Sequence, residues 1–470
     1  MPSEGGFEYA GRRVLVAGAG VAGAASARAL LAAGADVTVV DRADGPALER
    51  LRADGARGVV GAGLDLLDGV TDVVVSPGFA PHHPLAAAAT AAGLDVYSEP
   101  ELAWRLRGPK SPEWLAITGT NGKTTTTTML AAILAAAGRR TAALGNIGEP
   151  LVFAATGAAA DYDVLAVELS SFQLHWSSTL APQAGALLNL ADDHLDWHGG
   201  FDAYAGAKTA VWRSAPAGGV AVGNLDDPRV AAMLARVEGR RIGFTLGEPG
   251  PGQLGVVDGF LVHDGVQLTS VDQIRPPGAH NVANALAAAA LARAYGVDAA
   301  AVHAGLAGYV PQAHRNAHVA TVAGVAYVDD SKATNPHAAA ASLTAYPRVV
   351  WIAGGQLKGV DVSDLVATVA DRLVGAVLLG VDRAQVAAAL ARHAPGVPVV
   401  QVSRADDGAM AEVVSAAAAL ARPGDTVLLA PAAASLDMFA SYAERGAAFA
   451  AAVRALESPD VQAGGVADRR

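Results

Sequence analysis

The sequence predicts an α/β protein with three domains, the first and last Rossmann-like and the central one of the P-loop type. Two observations support this prediction. Short runs of β-branched residues alternate with alanine-rich helical stretches along the chain, which is typical of βα units and parallel sheets. Two glycine-rich turns, Gly18–Gly23 and Gly119–Thr124, each follow such a run and open a helical stretch, where parallel sheets bind their ligands.

The first predicted domain opens with a βα unit. A strand at Val14–Ala17 precedes the turn Gly18-Ala19-Gly20-Val21-Ala22-Gly23 and a helix, and the next strand ends at Asp41. Glycines at this spacing let the backbone approach a pyrophosphate at a helix N-terminus. The pattern selects any diphosphate, so it predicts a nucleotide-binding turn without identifying NAD. A later strand, Asp72–Val75, runs into Ser76-Pro77-Gly78.

The second predicted domain begins after an interruption at Arg107–Pro112, where two prolines and a glycine break the pattern. Its first strand, Trp114–Thr118, leads into Gly119-Thr120-Asn121-Gly122-Lys123-Thr124-Thr125 at the start of a helix. Backbone N–H groups in such a loop form an anion site, where Lys123 would reach phosphate oxygens and the Thr124 hydroxyl would bind Mg²⁺. The loop lacks the first glycine of the usual phosphate-binding motif.

Two further segments of this domain supply metal ligands. Glu168 ends the predicted strand Val164–Glu168, at the edge where open α/β sheets bind ligands. The segment Asp192-Asp193-His194-Leu195-Asp196 is dense in carboxylates. Mg²⁺ needs few carboxylates because it keeps water or phosphate ligands, so Glu168 with one partner would suffice. For His194 alone, a hydrogen-bonded structural histidine is the simpler interpretation.

The third predicted domain begins near Tyr309-Val310-Pro311, after a helix that opens at Gly278-Ala279-His280-Asn281. Strands are predicted at Ala326–Val328, Val349–Ala353, Ala376–Leu379, Val399–Val402 and Thr426–Ala430. We place the domains at residues 1–110, 111–312 and 313–456, and we expect the polar tail 457–470 to be disordered.

Lysine usage points to phosphate chemistry. Five of the 34 lysines and arginines are lysines, and Lys123, Lys208, Lys332 and Lys358 all lie in glycine- or hydroxyl-rich settings. Arginine cannot lose its proton, whereas a buried lysine near Mg²⁺ can do so and then react with CO₂ to form a carbamate. This chemistry is our hypothesis for Lys208. The alternative is a solvated helix lysine.

Composition argues against several classes of function. A net charge of −11, with no basic stripe interleaved with aromatic residues, disfavours a nucleic-acid partner. The absence of cysteine rules out disulfides and thiolate metal sites and suits the cytoplasm. No apolar stretch is long enough to span a membrane, and the first six residues do not open a signal peptide. We therefore expect a cytoplasmic protein, monomeric, that acts on small molecules.

Taken in order, the motifs resemble those of the Mur ligases, the ATP-dependent amide-bond ligases of peptidoglycan precursor synthesis. The resemblance covers nearly the whole chain. It rests on Gly18–Gly23, Ser76-Pro77-Gly78, Gly119–Thr125, Gly145-Asn146-Ile147-Gly148, Glu168–Leu174, Asp193–Asp196, Lys208, His280-Asn281-x-x-Asn284, His314-Arg315, Asp330–Asn335 and Ala434–Asp437. Within the family, Glu168–Leu174 and Asp330–Asn335 are similar to the branch that adds D-glutamate to UDP-N-acetylmuramoyl-L-alanine.

The resemblance implies a role for each matching residue. The UDP-sugar would contact Val21, Ala22, Asp41, Ser76 and Gly78, with Asn146 on its muramoyl portion. ATP would bind to Gly119, Thr120, Asn121, Gly122, Lys123, Thr124 and Thr125, with adenine near Asn281 and Asn284, phosphate on Arg315 and ribose on Asp330. Two Mg²⁺ ions would be held by Thr124, Glu168, His194 and a carbamylated Lys208. D-glutamate would bind to Lys332, Thr334, Lys358, Ser435 and Leu436. The catalytic residues would be Lys123, His194, Lys208 and Lys332.

Some positions depart from the family pattern. The loop before Lys358 lacks the aspartate and glycine often found there, and Ala433 replaces a frequent cysteine. Tyr442 stands where relatives use phenylalanine, so its role is open. The residue that contacts uracil is also open, with Arg42 the nearest candidate.

Amide formation from a carboxylate requires a leaving group, so the resemblance implies an acyl phosphate made from ATP and then attacked by the D-glutamate amine. Lys123, Arg315 and Lys332 would neutralise the approaching anions, and domain closure would exclude water. Three alternatives stay open. A related ligase could extend folate with glutamate, an NAD-dependent oxidoreductase would use Gly18–Gly23 but leave Glu168 without a role, and a nucleotide-gated binding module would need no amino-acid pocket.

Overall fold

The computed structural model describes residues 7–61, 63–156, 161–406 and 408–456. These residues form three sheets flanked by helices, which confirms the predicted α/β class. Contacts divide the chain into two compact units. One ends at Ile274 and resumes over Val282–Tyr309, and the other comprises Arg275–Asn281 and the chain from Val310 onwards. The tail 457–470 and the first six residues lie outside the described ranges, and the boundaries at 110 and 312 stay predictions.

The first sheet contains the first predicted βα unit. Its strands are β1 (Arg13–Ala17), β2 (Asp36–Asp41), β3 (Arg57–Val60), β4 (Asp72–Val75) and β5 (Asp95–Tyr97), and its helices are α1 (Val21–Ala32), α2 (Pro46–Ala53), α3 (Pro84–Ala91) and α4 (Glu99–Arg105). The order is β3-β2-β1-β4-β5, and the paired strands run parallel. The order reverses between β1 and β4, so the turns after these two strands open side by side at the carboxyl edge.

The middle sheet belongs to the same unit. Its strands are β6 (Glu113–Thr118), β7 (Ala143–Gly145), β8 (Val164–Glu168), β9 (Ala184–Leu187), β10 (Val220–Asn224), β11 (Arg240–Phe244), β12 (Leu254–Val257), β13 (Phe260–His263) and β14 (Val266–Ser270). Its helices are α5 (Lys123–Ala136), α6 (Leu151–Thr156), α7 (Ser171–His175), α8 (Leu195–His198), α9 (Phe201–Thr209), α10 (Pro228–Leu234), α11 (Ala279–Ala294) and α12 (Ala299–Ala307).

The order of the middle sheet is β14-β13-β12-β11-β10-β9-β6-β8-β7. β6 pairs in parallel with both β8 and β9, so the segments after these three strands leave the sheet at one edge. β12, β13 and β14 pair antiparallel, which the prediction of parallel βα units did not anticipate.

The third sheet lies in the second unit. Its strands are β15 (Ala317–Val322), β16 (Val325–Asp329), β17 (Val349–Gly354), β18 (Leu373–Leu379), β19 (Val399–Gln401) and β20 (Thr426–Leu429), and its helices are α13 (Pro336–Leu343), α14 (Ser363–Val369), α15 (Arg383–His393), α16 (Ala409–Leu420) and α17 (Tyr442–Ala455). The order is β15-β16-β20-β17-β18-β19, and the β15–β16 hairpin is antiparallel. The predicted strands are found here with ends shifted by at most one residue, except that β18 begins three residues before its predicted start.

Local sequence explains where these elements begin and where the cores form. Prolines occupy the first turn of α2, α3, α10 and α13, where no N–H is needed. Ser170 and Gln173 form a capping box at the start of α7. All residues of β8 and β17 are buried, as is typical of central strands in the parallel part of a sheet that helices cover on both faces. In the described part of the chain, no helix is both long and apolar enough to cross a membrane.

Candidate active site

The loop between β6 and α5 has the geometry of an anion site. Gly119 has φ of 159° and Gly122, which caps α5, has φ of 83°, values that glycine adopts without strain. A Cβ on Gly122 would also come within 2.3 Å of Asn284 Oδ1. The glycines therefore let the loop pack closely against the N-terminus of α5, where the first N–H groups of the helix lie. Such a terminus favours negative charge.

Lys123 folds back over this loop. Its Nζ donates to the carbonyl of Gly119 at 3.0 Å and to that of Thr120 at 2.9 Å. Asn189 fixes the same loop, because its Oδ1 accepts from Asn121 N and its Nδ2 donates to Asn121 O. The ammonium group thus lies over the loop, and its contact with phosphate stays a prediction.

Glu168 ends β8 as a buried carboxylate with two side-chain partners. The Thr124 hydroxyl donates to Oε2 at 2.6 Å, and the Asn146 amide donates to Oε1 at 2.9 Å. Thr124 and Glu168, predicted from separate motifs, are therefore in direct contact. Asn146 was predicted to touch a sugar, whereas here its side chain binds Glu168.

Lys208 is buried in α9, with 2% of the residue exposed, and its Nζ donates to the Gly119 carbonyl at 2.7 Å. Both Lys208 and Lys123 therefore contact the same carbonyl oxygen. Burial, followed by the neighbouring charge of Lys123, lowers the pKa of Lys208 well below its ordinary value, while Asp193 and Glu168 act in the opposite direction. This lysine is not the solvated helix residue of the alternative interpretation.

Tyr204, which the sequence analysis missed, connects Lys208 to the loop. Its hydroxyl lies 2.7 Å from Thr120 Oγ1, and its ring centroid lies 4.8 Å from the Lys208 ammonium. Tyr204 precedes Lys208 by four residues on one helix, so helical spacing placed both on one face. That spacing was the signal that could have identified it.

His194 lies in a cluster of aromatic rings. It caps α8 with φ of 53°, is 4.7 Å from the Phe172 ring centre, and has Nε2 3.5 Å from the Asp193 carboxylate. His198 in the same cluster is buried, which lowers its pKa to about 4, and neither of its ring nitrogens has a hydrogen-bond partner within the described ranges. Across those ranges, no group of three or more His, Cys, Asp or Glu side chains could hold a metal ion.

The glycine turn after β1 faces the turn after β4. A Cβ on Gly18 would lie 2.7 Å from Ser76 Oγ, a buried hydroxyl without a hydrogen-bond partner in the described part of the chain. Asp41 accepts from the backbone N–H of Ala19, which lowers the pKa of its carboxyl. Val21 and Ala22 begin α1 directly after the first turn, and Gly78 lies in the second turn. Val21, Ala22, Asp41, Ser76 and Gly78 thus lie in or next to the turns after β1, β2 and β4, and their role in binding a nucleotide-sugar stays a prediction.

Most of the remaining predicted residues lie in the second unit. Asp330 accepts from Asn316 N, and burial raises the pKa of its carboxyl to about 6. The Lys332 ammonium lies 3.7 Å from the ring centre of Tyr442, a contact that gives this tyrosine a cation–π role. Ser435 is buried, whereas Lys358 and Leu436 are exposed.

Three more residues complete the predicted nucleotide set. Asn281 in the second unit contacts His280 Nε2 at 2.9 Å and the Pro277 carbonyl. Asn284 in the first unit accepts from the Thr126 hydroxyl beside the phosphate loop. Arg315 follows His314, whose Nδ1 lies 2.6 Å from the buried Asp329 carboxylate. The assignments to adenine, ribose and phosphate stay predictions.

Comparison with known proteins identifies the protein family to which this fold and site belong. Residues 12–98 match the MurD-like N-terminal domain of Mur ligases, residues 117–292 the Mur ligase middle domain, and residues 314–433 the glutamate ligase domain. The chain belongs to the Mur ligase family. This confirms the family resemblance and the predicted three-domain fold. The alternative interpretation, an NAD-dependent oxidoreductase, is wrong.

Particular relatives are similar over nearly the whole length. The chain is 55% identical to a UDP-N-acetylmuramoylalanine–D-glutamate ligase of Thermobifida fusca, with 96% of this chain and 100% of the relative covered. A protein of the same name from Streptomyces coelicolor is 54% identical, with 97% and 100% covered. Among solved structures, MurF from Acinetobacter baumannii has a TM-score of 0.58 at 18% identity, covering 90% of this chain and 91% of that chain. At this identity the structural likeness concerns the fold.

Proposed function

We propose that this protein is the ligase that joins D-glutamate to UDP-N-acetylmuramoyl-L-alanine at the expense of ATP. The observation that carries the proposal is the 55% identity, over 96% of the chain, to a relative with that name. Its product would be a peptidoglycan precursor, so the enzyme would serve cell-wall growth, cell shape and division. We place it in the cytoplasm as a monomer that binds small molecules and no nucleic acid.

The phosphate chain of ATP fits the loop at Gly119–Thr125. A triphosphate would meet the N–H groups at the start of α5, and Lys123 would leave its carbonyl partners to bind phosphate oxygens. Exchanging two neutral acceptors for an anion strengthens each hydrogen bond, because both partners are then charged. Arg315 on phosphate, Asp330 on ribose, and Asn281 and Asn284 near adenine complete the proposed nucleotide site.

The donors beside this loop suit Mg²⁺. Thr124 and Glu168 offer hard oxygen atoms in contact with each other, and Mg²⁺ takes one or two carboxylates together with phosphate and water. We propose Thr124, Glu168, His194 and carbamylated Lys208 as the protein ligands of two ions. When bound, these ions would neutralise phosphate charge and so favour the approach of a carboxylate.

Lys208 has the environment that a carbamate requires. Its depressed pKa makes the neutral amine accessible, and that amine adds to CO₂ to give a carbamate and release one proton. The modified side chain would carry one negative charge in place of a positive one. The repulsion from Lys123, which now lowers the Lys208 pKa, would become an attraction.

The chain's own residues would promote amide formation chiefly by neutralising and positioning anions. The L-alanyl carboxylate of the substrate attacks the γ-phosphoryl group, giving an acyl phosphate and ADP. The D-glutamate amine then adds to the carbonyl carbon and phosphate leaves. Lys123, Arg315 and Lys332 would stabilise the negative charge of these steps.

Two pockets would set specificity. The UDP portion would bind between the turns after β1 and β4, where Ser76 supplies a buried hydroxyl, with Val21, Ala22, Asp41 and Gly78 around it and Asn146 towards the muramoyl group. The amino acid would bind in the second unit, to Lys332, Thr334, Lys358, Ser435 and Leu436. Two cationic side chains in that set suit a dicarboxylate.

The direct test is phosphate release with UDP-N-acetylmuramoyl-L-alanine, ATP and Mg²⁺. We expect turnover with D-glutamate and at least about 100-fold slower turnover with L-glutamate or D-alanine. D-alanine lacks the side-chain carboxylate and would leave the polar groups of the site unpaired, and L-glutamate, as the mirror image, cannot place its amine and both carboxylates on the same partners. Replacing the UDP-sugar by dihydrofolate tests the folate alternative. Turnover with the folate and none with the UDP-sugar would overturn the proposal.

A further inference from the structure

Arg445, in the second turn of α17, has the least exposed guanidinium of the second unit's described arginines. It is 1% exposed and donates to three separate chain segments. Nε donates to Ser331 Oγ at 3.0 Å and Nη2 to the Ser331 carbonyl at 2.9 Å. Nη1 reaches the Ala433 carbonyl at 3.2 Å and the Gly354 carbonyl at 3.5 Å.

These three segments carry the residues proposed to bind the amino acid. Ser331 immediately precedes Lys332, Ala433 lies two residues before Ser435, and Gly354 ends β17 at the start of the loop that contains Lys358. Two of the segments are also joined directly, because Gln356 and Ala434 exchange backbone hydrogen bonds. One side chain thus connects every part of the proposed pocket.

Stability alone does not explain a cation at this position. Among the described residues, no carboxylate forms an ion pair with the guanidinium within 4.0 Å, and its hydrogen-bond partners are carbonyl groups and one hydroxyl. Asp437 and Asp329 act on its charge from a longer distance, and burial outweighs them, because the pKa of Arg445 is lowered to about 10. Burying a charge without a directly paired counter-ion is unfavourable, and an apolar side chain of similar volume would fill a core at lower cost. What an apolar side chain cannot do is hold several carbonyl groups in fixed relative positions, which the planar fork of arginine does.

We propose that Arg445 is a positioning residue for the amino-acid substrate, which fixes the relative positions of the three segments bearing Lys332, Lys358 and Ser435. The inference rests on the proposed function for the identity of the substrate. It assigns no contact between Arg445 and D-glutamate. Its effect is expected to be larger on the binding of the amino acid than on that of ATP. The proposed phosphate loop lies in the other unit, and of the residues proposed to bind ATP only Asp330 adjoins a segment that Arg445 holds.

The experiment compares Arg445→Met, Arg445→Lys and a matched control, Arg348→Met. Arg348 lies just before β17, at the end of that strand opposite Gly354, and its guanidinium pairs with Asp425. The control therefore removes the same charge from the same sheet without touching the three segments. Hydrogen–deuterium exchange of residues 331–335, 354–359 and 433–437 is measured without substrate, and the KM values for D-glutamate and ATP are measured with it.

We expect Arg445→Met to accelerate exchange in all three segments and to raise the KM for D-glutamate at least tenfold, while the KM for ATP changes several times less. Arg445→Lys should resemble Arg445→Met, because an ammonium lacks the fork. Exchange confined to α17, equal changes in both KM values, or full rescue by lysine would each overturn the proposal. Because exchange needs no substrate, it is independent of whether D-glutamate is the amino acid.

Ser331→Ala covers the case in which the Arg445 variants do not fold. It removes the hydroxyl that lies 3.0 Å from Nε and also donates to the Tyr442 carbonyl at 2.7 Å, and it leaves the guanidinium in place. We expect faster exchange at residues 331–335 and a severalfold rise in the KM for D-glutamate. Parental exchange and KM values in Ser331→Ala would contradict the proposal.

Discussion

At the scale of single residues, the most informative feature is the burial of Lys208, which excludes a solvated lysine at this position. Lys208 is buried, contacts the carbonyl that also binds Lys123, and has a depressed pKa. Lys208→Arg keeps the charge and cannot form a carbamate, so we expect it to lose roughly 100-fold or more in turnover. Lys208→Ala should lose as much and recover partly with short carboxylates. Phosphate release gives the rates.

The exposed Lys110 supplies the control for this prediction. Lys110→Arg should turn over at the parental rate. A second measurement does not depend on activity: ¹³C NMR with labelled bicarbonate should show a carbamate signal in the parent and in Lys110→Arg but not in Lys208→Arg. A parental rate in Lys208→Arg would show that the residue acts as a cation.

At the scale of elements, the sequence predicts site residues that lie within one short motif, and it does not predict contacts between segments that are distant along the chain. Lys123, Thr124 and Glu168 were found because each ends a strand or opens a helix within a short motif. Arg445 gave no such signal, since its partners lie 12 to 114 residues away in sequence. The antiparallel pairing of β12 to β14 was not predicted for a related reason. The alternation of apolar and polar residues within a strand does not show the direction of the neighbouring strand.

Helix α17 provides a test of packing at this scale. A Cβ on Gly446 would lie 2.1 Å from His314 Nδ1 and 2.7 Å from Asp329 Oδ2, so glycine allows the helix to cover this buried pair. Gly446→Ala should destabilise the second unit by about 1–3 kcal/mol through overpacking. It should also lower kcat/KM, because the His314 carbonyl accepts from Lys332 N. Thermal unfolding and phosphate release measure the two effects.

Gly396→Ala is the matched control in the same unit, since a Cβ there would meet nothing within 4 Å. We expect its stability to stay within about 0.5 kcal/mol of the parent. An unchanged Tm in Gly446→Ala would mean that His314 and Asp329 can move apart without loss, and the packing argument would be wrong.

At the scale of the whole molecule, buried ionisable groups make stability depend on pH in opposing directions. Burial lowers the pKa values of His198 and His280 to about 4, so their neutral forms favour the folded state above pH 6.5 and that contribution is lost as the pH falls. Burial raises the pKa of Glu99 to about 7, which acts the other way. The pH profile of stability in the parent protein therefore sums opposing contributions from the histidines and from Glu99. A variant that lacks one of these groups separates its contribution from the others.

Glu99 is the clearest group to isolate. Its carboxyl is buried at the start of α4 and accepts from Val152 N at 2.8 Å, a contact between the helices α4 and α6 of the first unit. Because the folded state keeps the proton up to about pH 7 and the unfolded chain loses it near 4.5, stability is present below pH 4.5 and is lost as the pH rises through 7. The full loss corresponds to on the order of 3 kcal/mol.

Glu99→Gln removes this titration and keeps a carbonyl oxygen for Val152. We expect the free energy of unfolding of the variant, minus that of the parent, to rise between pH 5 and pH 8 by up to about 3 kcal/mol. Denaturant unfolding at each pH measures it, and the subtraction cancels the histidines. Glu49→Gln, at an exposed site in α2, should give a difference that does not vary with pH. A constant difference for Glu99→Gln as well would mean that Glu99 is charged in the folded protein, and that burial at this contact does not hold its proton.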